Sequence, residues 1–427
     1  MKAVVVGGGL AGISAAFELA DAGADVTLLE ARPRLGGATF SVERDGLWLD
    51  NGQHVFLRCF TEYLRLLRRL GVADQVVLQD RLDIPVISPD GRRSHLRRSG
   101  LPAPFHLGGA ILRYRFLSPA ERLRVLPAAR ALAKIDLGDP ALDNRTFAGW
   151  LAEHGQSDAA RAALWDLITL PAVNLPAAEA SLALGAMVFK VGLLDEASAG
   201  DLGYAAVPLQ RLHGDAAERV LDDAGVDVQT RSRVRSIGDV QADVVVLAVP
   251  HDEAASLVPT LEPVRGLGFS PILNVHVVYD RRVTDDPFVA GFGTPVQFVF
   301  DRSDSSGLER GQYLAVSVSG ASAYTERTQD EIRDEFLPAL AELFPRAREA
   351  RVERFFVTRE PEATFRGAPG TRALRPGPTA VEGVFLAGAW TDTGWPATME
   401  GAVRSGLAAA RAALQVTDCY KEGVAAA

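Results

Sequence analysis

Three glycines, Gly7, Gly9 and Gly12, stand in G-x-G-x-x-G spacing directly after the apolar run Ala3 to Val6, and a carboxylate, Glu30, follows eighteen residues after Gly12. The first glycine permits a tight turn, the second lets backbone approach a pyrophosphate, and the third lets the next helix pack on the strand. A helix over Leu10 to Ala22 then aims its N-terminus, beginning with Leu10 and Ala11, at the phosphates, where free N–H groups and the macrodipole favour negative charge. Asp25 to Leu29 reads as a second strand. Glu30 at its end sits where a carboxylate binds an adenosine ribose hydroxyl and repels a 2′-phosphate. The expected ligand is an adenine dinucleotide.

The continuation ARPRLGG adds Ala31, two basic residues, Arg32 and Arg34, and a glycine pair, Gly36 and Gly37. The arginines either reach a phosphate or ribose or are solvated surface charges. This E-x-x-x-x-x-G-G pattern resembles the flavoprotein superfamily of amine oxidases, protoporphyrinogen oxidases and carotenoid desaturases, and the resemblance implies FAD. It also implies that Val234 lays backbone against the adenine. In the same way it implies that Gly388, Ala389, Pro396, Ala397, Thr398 and Met399, in the strand, loop and helix of GVFLAGAWTDTGWPATMEG, close over the flavin ring. A helix start there favours the negative charge of reduced flavin.

Two stretches, DNGQHVF (Asp50 to Phe56) and TGWPATMEGAVRSG (Thr393 to Gly406), together with the strand SPILNVH, are similar to the squalene-associated FAD-dependent family, the hydroxysqualene dehydroxylases. That likeness implies loss of an allylic hydroxyl as water and delivery of hydride from reduced flavin, with a long-chain isoprenoid as substrate. Histidine changes charge near neutral pH, so His54 is the expected proton donor or orients the leaving hydroxyl, with Gln53 and Asn51 as partners. The rival expectation is that this turn only binds flavin through its backbone. Phe56, Asn274, His276 and Trp395 are expected around the substrate. Amine oxidases of the superfamily carry a lysine where Asn274 stands, which disfavours amine oxidation. The family motif LAGDW reads LAGAW here, so Ala389 replaces an aspartate expected to hydrogen-bond the cofactor. A carotenoid-type desaturase or isomerase and a non-enzymatic flavin- or lipid-binding protein are the other readings.

These groups need a scaffold. At 427 residues the chain exceeds one ordinary core. The expected class is α/β: a discontinuous Rossmann-type FAD domain (1–85, 205–265 and 365–415) and an α+β substrate domain (86–204 and 266–364) with an antiparallel sheet and helices, then a flexible tail, 416–427. Ser41 to Leu49 reads as one strand, Arg81 to Ser94 as a hairpin around Ser88-Pro89-Asp90-Gly91, and Phe60 to Leu70 as an amphipathic helix. Ala242 to Pro250 reads as a buried parallel strand, with His251 beyond it as an exposed loop residue. Gly268 to Asp280 opens the second sheet, with Asn274 and His276 on one face. Trp165 to Val188 carries only two charged residues, Asp166 and Glu179, and reads as core, with a hydrocarbon-lined tunnel as the alternative.

Composition narrows the partners. The net charge of −9 argues against nucleic acid, and two cysteines, Cys59 and Cys419, without a Cys/His cluster argue against a metal site or disulfide framework. No run of eighteen apolar residues suggests a spanning helix, and no signal layout precedes the first strand, so a cytoplasmic location is expected. From Arg92 to Lys134, however, ten basic residues face one acidic residue, Glu121, a local balance of +9. Leu101, Phe105, Leu107, Ile111, Leu112, Tyr114, Phe116 and Leu117 lie between them. Such a stretch either rests on an anionic membrane surface or forms a solvated basic face on a core helix.

Overall fold

The computed structural model describes residues 1–425, with side chains through Val416. Most of the expected tail, and Cys419 with it, lies outside the residues whose side chains are described.

A six-stranded sheet runs in the order Asp227–Gln229, Asp25–Leu29, Lys2–Val6, Val244–Leu247, Val384–Leu386, Thr379–Val381. All neighbours are parallel except the last pair. The central strands, VVV and VVVL, are buried on both faces, which is why they read as continuous apolar runs. The nucleotide helix, Leu10–Asp21, crosses between the first two strands of the chain. Against it packs the closing helix, Met399–Ala425. A Cβ on Gly406 would fall 2.0 Å from the carbonyl oxygen of Ala11, so only glycine permits that approach.

The second sheet has seven strands, in the order Val352–Phe365, Phe269–Tyr279, Gln312–Ser319, Phe298–Asp301, Phe288–Gly291, Asp83–Ile87, Arg93–Arg97. It is antiparallel except where Phe288–Gly291 pairs with Asp83–Ile87. The hairpin around Ser88–Gly91 therefore belongs to this sheet, which takes up the chain from Asp83, just before the boundary expected at 85. Strand alternation divides the chemistry. Leu273, Val275 and Val277 pack against helix Gln329–Leu343, whose capping box is Thr328 and Glu331, whereas Asn274 and His276 face the other way.

Two expectations are corrected. Ser41 to Leu49 is a hairpin of Ser41–Arg44 with Leu47–Asp50, because Asp45 and Gly46 both adopt positive φ, the two-residue turn that Asp-Gly favours. His251 is buried: Pro250 starts a helix, His251–Leu257, that presses its ring against Phe269 at 4.4 Å between centroids.

Candidate active site

The glycine turn is crowded to the limit of what backbone allows. Gly7 has φ +109°, and a Cβ on it would lie 2.3 Å from Ala248 O; one on Gly12 would lie 1.9 Å from Gly7 O. The second glycine pair packs directly on the first: Gly36 N donates to Gly8 O at 2.8 Å, and a Cβ on Gly37 would meet Gly9 Cα at 2.8 Å. The nucleotide helix opens with no side-chain cap and no acid in its first turn, and its first helical bond is Ile13 N to Gly9 O, 2.9 Å. The N–H groups of Leu10, Ala11 and Gly12 are thus left for an anion. Glu30 is buried, accepting from Gly8 N at 2.6 Å and Arg32 N at 2.7 Å, with lone pairs to spare for a ribose. These features fit a dinucleotide pyrophosphate and adenosine.

Around that turn the other sequence candidates fall as follows. Arg34 lies over the Phe40 ring, 3.5 Å from its centroid, and donates to Gly37 O, while Ala31 and Arg32 are exposed. Arg231 N to Arg32 O and Ser232 N to Glu30 O bring the loop carrying half-buried Val234 alongside the acidic residue.

The loop from Gly388 to Thr398 joins expected residues to ones that sequence reasoning missed, Trp390, Ser405 and Glu400 among them. Gly388, at φ +141°, donates its N–H to Ser405 Oγ at 2.8 Å, and Trp390 Nε1 donates to Val249 O at 2.9 Å. Thr398 caps Gly401 N at 3.1 Å. Glu400, fully buried, reaches away from the loop and accepts from Tyr63 N at 2.8 Å and Glu62 N at 3.2 Å, capping the helix Thr61–Arg69, while Arg404 pairs with it at 2.6 Å. No sequence signal joins residues more than three hundred positions apart. Pro396 and Ala397 carry the backbone into the closing helix at Met399.

The Asp50–His54 turn lies between the two sheets. Asp50 accepts from Ser41 Oγ at 2.6 Å, Leu209 N at 3.1 Å and Arg302 Nη2 at 2.8 Å, and Arg302 also donates to Ala205 O at 2.7 Å. Arg302 leaves the end of strand Phe298–Asp301, so this buried ion pair ties the turn to the seven-stranded sheet. The missing side chain of Gly52 leaves room beside Asn274 Nδ2 and His54 Cε1, 3.6 and 3.8 Å from where its Cβ would be. Gln53 Nε2 and Asn274 Oδ1 are buried without a partner. Such atoms mark where a ligand's polar groups belong. A cavity of about 10 Å³, room for one water, touches Asp50, Gln53, His54, Tyr204 and Arg302.

His54 Nδ1 lies 3.2 Å from Gly52 O, which assigns the proton of the neutral ring to Nδ1 and leaves Nε2 an acceptor. Burial lowers its pKa from 6.5, against a smaller upward pull from Asp50. Beneath it His213 contacts Tyr63 OH at 2.9 Å and is pushed down to about 3, first by burial and then by His54.

Three expected site residues sit elsewhere. The Asn51 amide donates to Ala38 O at 3.2 Å, and its side chain also bonds Glu360, so it braces loops instead of joining Gln53 and His54. Phe56 is core: its ring fills the space over Gly203 and meets Tyr63 edge-on. Both ring nitrogens of His276 are used, by Tyr313 OH at 2.7 Å and Thr358 Oγ1 at 3.1 Å, and burial pushes it down to about 4. Trp395, by contrast, lines a second cavity of about 240 Å³ together with Leu137, Leu184, Met187 and Val191. The greasy stretch is thus core on most faces of helix Leu182–Phe189 and cavity wall on one. The Cys59 thiol is pushed up to about 12, chiefly by burial, and is inert.

The basic stretch is less charged than its sequence suggests. Arg92, Arg93, Arg97 and Arg98 pair with Asp90, Asp286, Asp83 and Asp201, three of which lie far along the chain or on the neighbouring strand. The cations that remain belong to helices Gly108–Arg113 and Pro119–Ala133, the loop between them and Lys134, which ends the second helix. The apolar set also divides: Ile111, Tyr114, Phe116 and Leu117 are buried and Leu107 half-buried, whereas Leu101, Phe105 and Leu112 are each more than half exposed, as is Leu123 on the next helix. Among the described residues no helix is long and apolar enough to cross a membrane, and no His, Cys, Asp or Glu cluster is arranged to hold a metal.

Comparison with known proteins agrees with this architecture. The hydroxysqualene dehydroxylase of Rhodopseudomonas palustris is 28% identical over 428 residues, covering 95% of this chain and 96% of the relative. The 15-cis-phytoene desaturase of Solanum lycopersicum is 26% identical, covering 97% and 78%. Among solved structures, cyclohexylamine oxidase from Brevibacterium oxydans IH-35A superposes with a TM-score of 0.73 at 20% identity, covering 98% of this chain and 99% of that one. The model of the flavin containing amine oxidoreductases matches residues 10–414. The chain belongs to that family and is an FAD-dependent oxidoreductase.

Proposed function

We propose that this chain removes the hydroxyl of hydroxysqualene reductively, giving squalene for hopanoid or related triterpene synthesis. The observation that carries the reading is the character of the larger cavity: Leu137, Leu184, Met187, Val191 and Trp395 form its apolar wall, and its charged groups, Arg372, Arg375, Asp143 and Asp392, are two of each sign. A neutral hydrocarbon suits such a site, and a protonated amine does not. The hydroxysqualene dehydroxylase relatives align over nearly the whole chain, which supports the same choice.

When bound and reduced, FAD supplies the hydride. The C–O bond of the substrate breaks, its oxygen takes up a proton and leaves as water, and the hydride forms the new C–H bond. The protein orients the alcohol and excludes water. Gln53 Nε2 and Asn274 Oδ1 offer one donor and one acceptor to a polar group, and His54 supplies the proton when charged. Because its pKa lies below 6.5, turnover should rise as pH falls through that range; a flat profile, or full turnover by His54→Ala with FAD bound, removes the acid role.

One observation favours a second reading. Neutral His54, with Nε2 free to accept, suits proton abstraction in a carotenoid-type desaturation, and phytoene desaturases align at similar identity. Anaerobic mixing separates the two: reduced enzyme with hydroxysqualene should reoxidise and yield squalene, whereas a desaturase should instead be reduced by its polyene when oxidised. No flavin change with either would sink both.

The protein would draw such a substrate from lipid. Exposed Leu101, Phe105, Leu112 and Leu123 among Arg113, Arg115, Arg122 and Arg124 form the membrane-facing surface of this reading, and Leu137, just past the helix Pro119–Ala133, lines the cavity. The protein would then be cytoplasmic and peripheral.

A further inference from the structure

Arg375 stands outside every motif and outside the closing loop, yet it gathers that loop's backbone. It is buried, and its Nε and Nη2 donate to four backbone carbonyls of one segment: Ala389 O at 3.3 Å, Trp390 O at 3.2 Å, Thr391 O at 2.6 Å and Trp395 O at 2.8 Å. Its guanidinium also lies over the Phe365 ring, 4.7 Å from the centroid. The segment has no regular secondary structure between strand Val384–Leu386 and helix Met399–Ala425, so its carbonyls have few other donors. The neighbouring carboxylates make their hydrogen bonds and ion pairs elsewhere, Asp392 with Arg372 at 3.6 Å and Asp143 with Ser181 Oγ and Arg372 N, and attract Arg375 only at longer range. Arg375 therefore carries a positive charge into the interior on a bed of carbonyl dipoles. Burial brings its pKa down to about 10, which still leaves it charged at neutral pH. The same side chain lines the larger cavity, so it touches loop and cavity together.

We propose that Arg375 is a positioning residue for the flavin: its planar fork sets the path of residues 389–395, and its fixed charge favours the reduced, negatively charged cofactor. Lysine could supply the charge but not four bonds from one plane. The inference requires only that the loop borders FAD, and it stands whichever polyene is the substrate.

Two variants separate the two parts. In Arg375→Lys the dissociation constant of FAD, read by recovery of flavin fluorescence, should weaken about tenfold or more, while the midpoint potential of the flavin that is bound stays near wild type. In Arg375→Met affinity should fall further and the potential should shift to more negative values. Melting of the apoproteins provides the control: a purely structural role would lower it in both variants without moving the potential. If Met unfolds the chain, Arg375→Gln replaces it in the same comparison. Wild-type affinity in the lysine variant overturns the positioning role, and an unshifted potential in the uncharged variant overturns the electrostatic one.

Discussion

Replacing Asp50 by asparagine keeps volume and removes one charge from the joint between the two sheets. In the native protein its two oxygens face three donors, Ser41 Oγ, Leu209 N and Arg302 Nη2, at 2.6, 3.1 and 2.8 Å. An asparagine amide has one oxygen, so in either orientation its NH2 faces a donor that once met a carboxylate. Both ion-pair side chains are under 10% exposed, at 5% for Asp50 and 7% for Arg302, so solvent screening offers little relief. Breaking one side of such a pair costs about 3–5 kcal/mol. Arg302 keeps its bond to Ala205 O, which holds the expected loss near the lower end, about 3 kcal/mol. The assay is urea unfolding of Asp50→Asn, Arg302→Met and the double variant. The double variant should lose less than the sum of the singles by about 1–3 kcal/mol, because it leaves no unpaired charge. A single variant within about 0.5 kcal/mol of wild type, or strictly additive losses, would refute the account of this joint.

Other consequences are as direct. Ala389→Asp should tighten FAD binding by about tenfold, since one charge-assisted hydrogen bond is worth about 1.5–3 kcal/mol before the cost of desolvation, and unchanged or weaker affinity would show that the loop has no hydroxyl within reach. His276 and His213 have folded pKa values near 4 and 3, below the unfolded 6.5, so stability is complete above pH 6.5 and is lost as pH falls below it. The two together should cost about 4 kcal/mol by pH 5, and a urea midpoint equal at pH 7 and pH 5 would contradict this. Neutralising Arg113, Arg115, Arg122 and Arg124 should abolish salt-sensitive sedimentation with anionic vesicles, and undiminished binding would remove the membrane surface from the account.

Local chemistry was legible wherever the relevant partners are close in sequence. The glycine turn, the helix after it and Glu30 lie within thirty residues, and each step follows from the backbone freedom of glycine, the periodicity of apolar residues and the spacing of strand ends. The second sheet's long strand was also readable from alternation, down to Asn274 and His276 sharing a face. The Asp45-Gly46 turn is an equally local signal, but the reading of Ser41 to Leu49 as one strand missed it. His251 and His276 show where such reading stops. Whether a histidine ends in water, against Phe269 or between two hydroxyls depends on elements that meet only after folding.

By itself, then, the sequence determined the dinucleotide turn, the α/β class and the family, because these rest on short-range steric rules and on motifs whose members are neighbours. Only the tertiary structure decided which polar groups have partners. Asp50 finds Arg302, Glu400 caps a helix more than three hundred residues away, and Arg375 gathers four carbonyls that it reaches only when the loop folds back over it. The same holds for the basic stretch, whose +9 balance counted neighbours in the chain while three of its arginines, Arg93, Arg97 and Arg98, were answered by carboxylates brought in by folding. The reason is physical: hydrogen bonds and charges act over a few ångströms of space, and a chain brings distant residues within that range only after its core has formed.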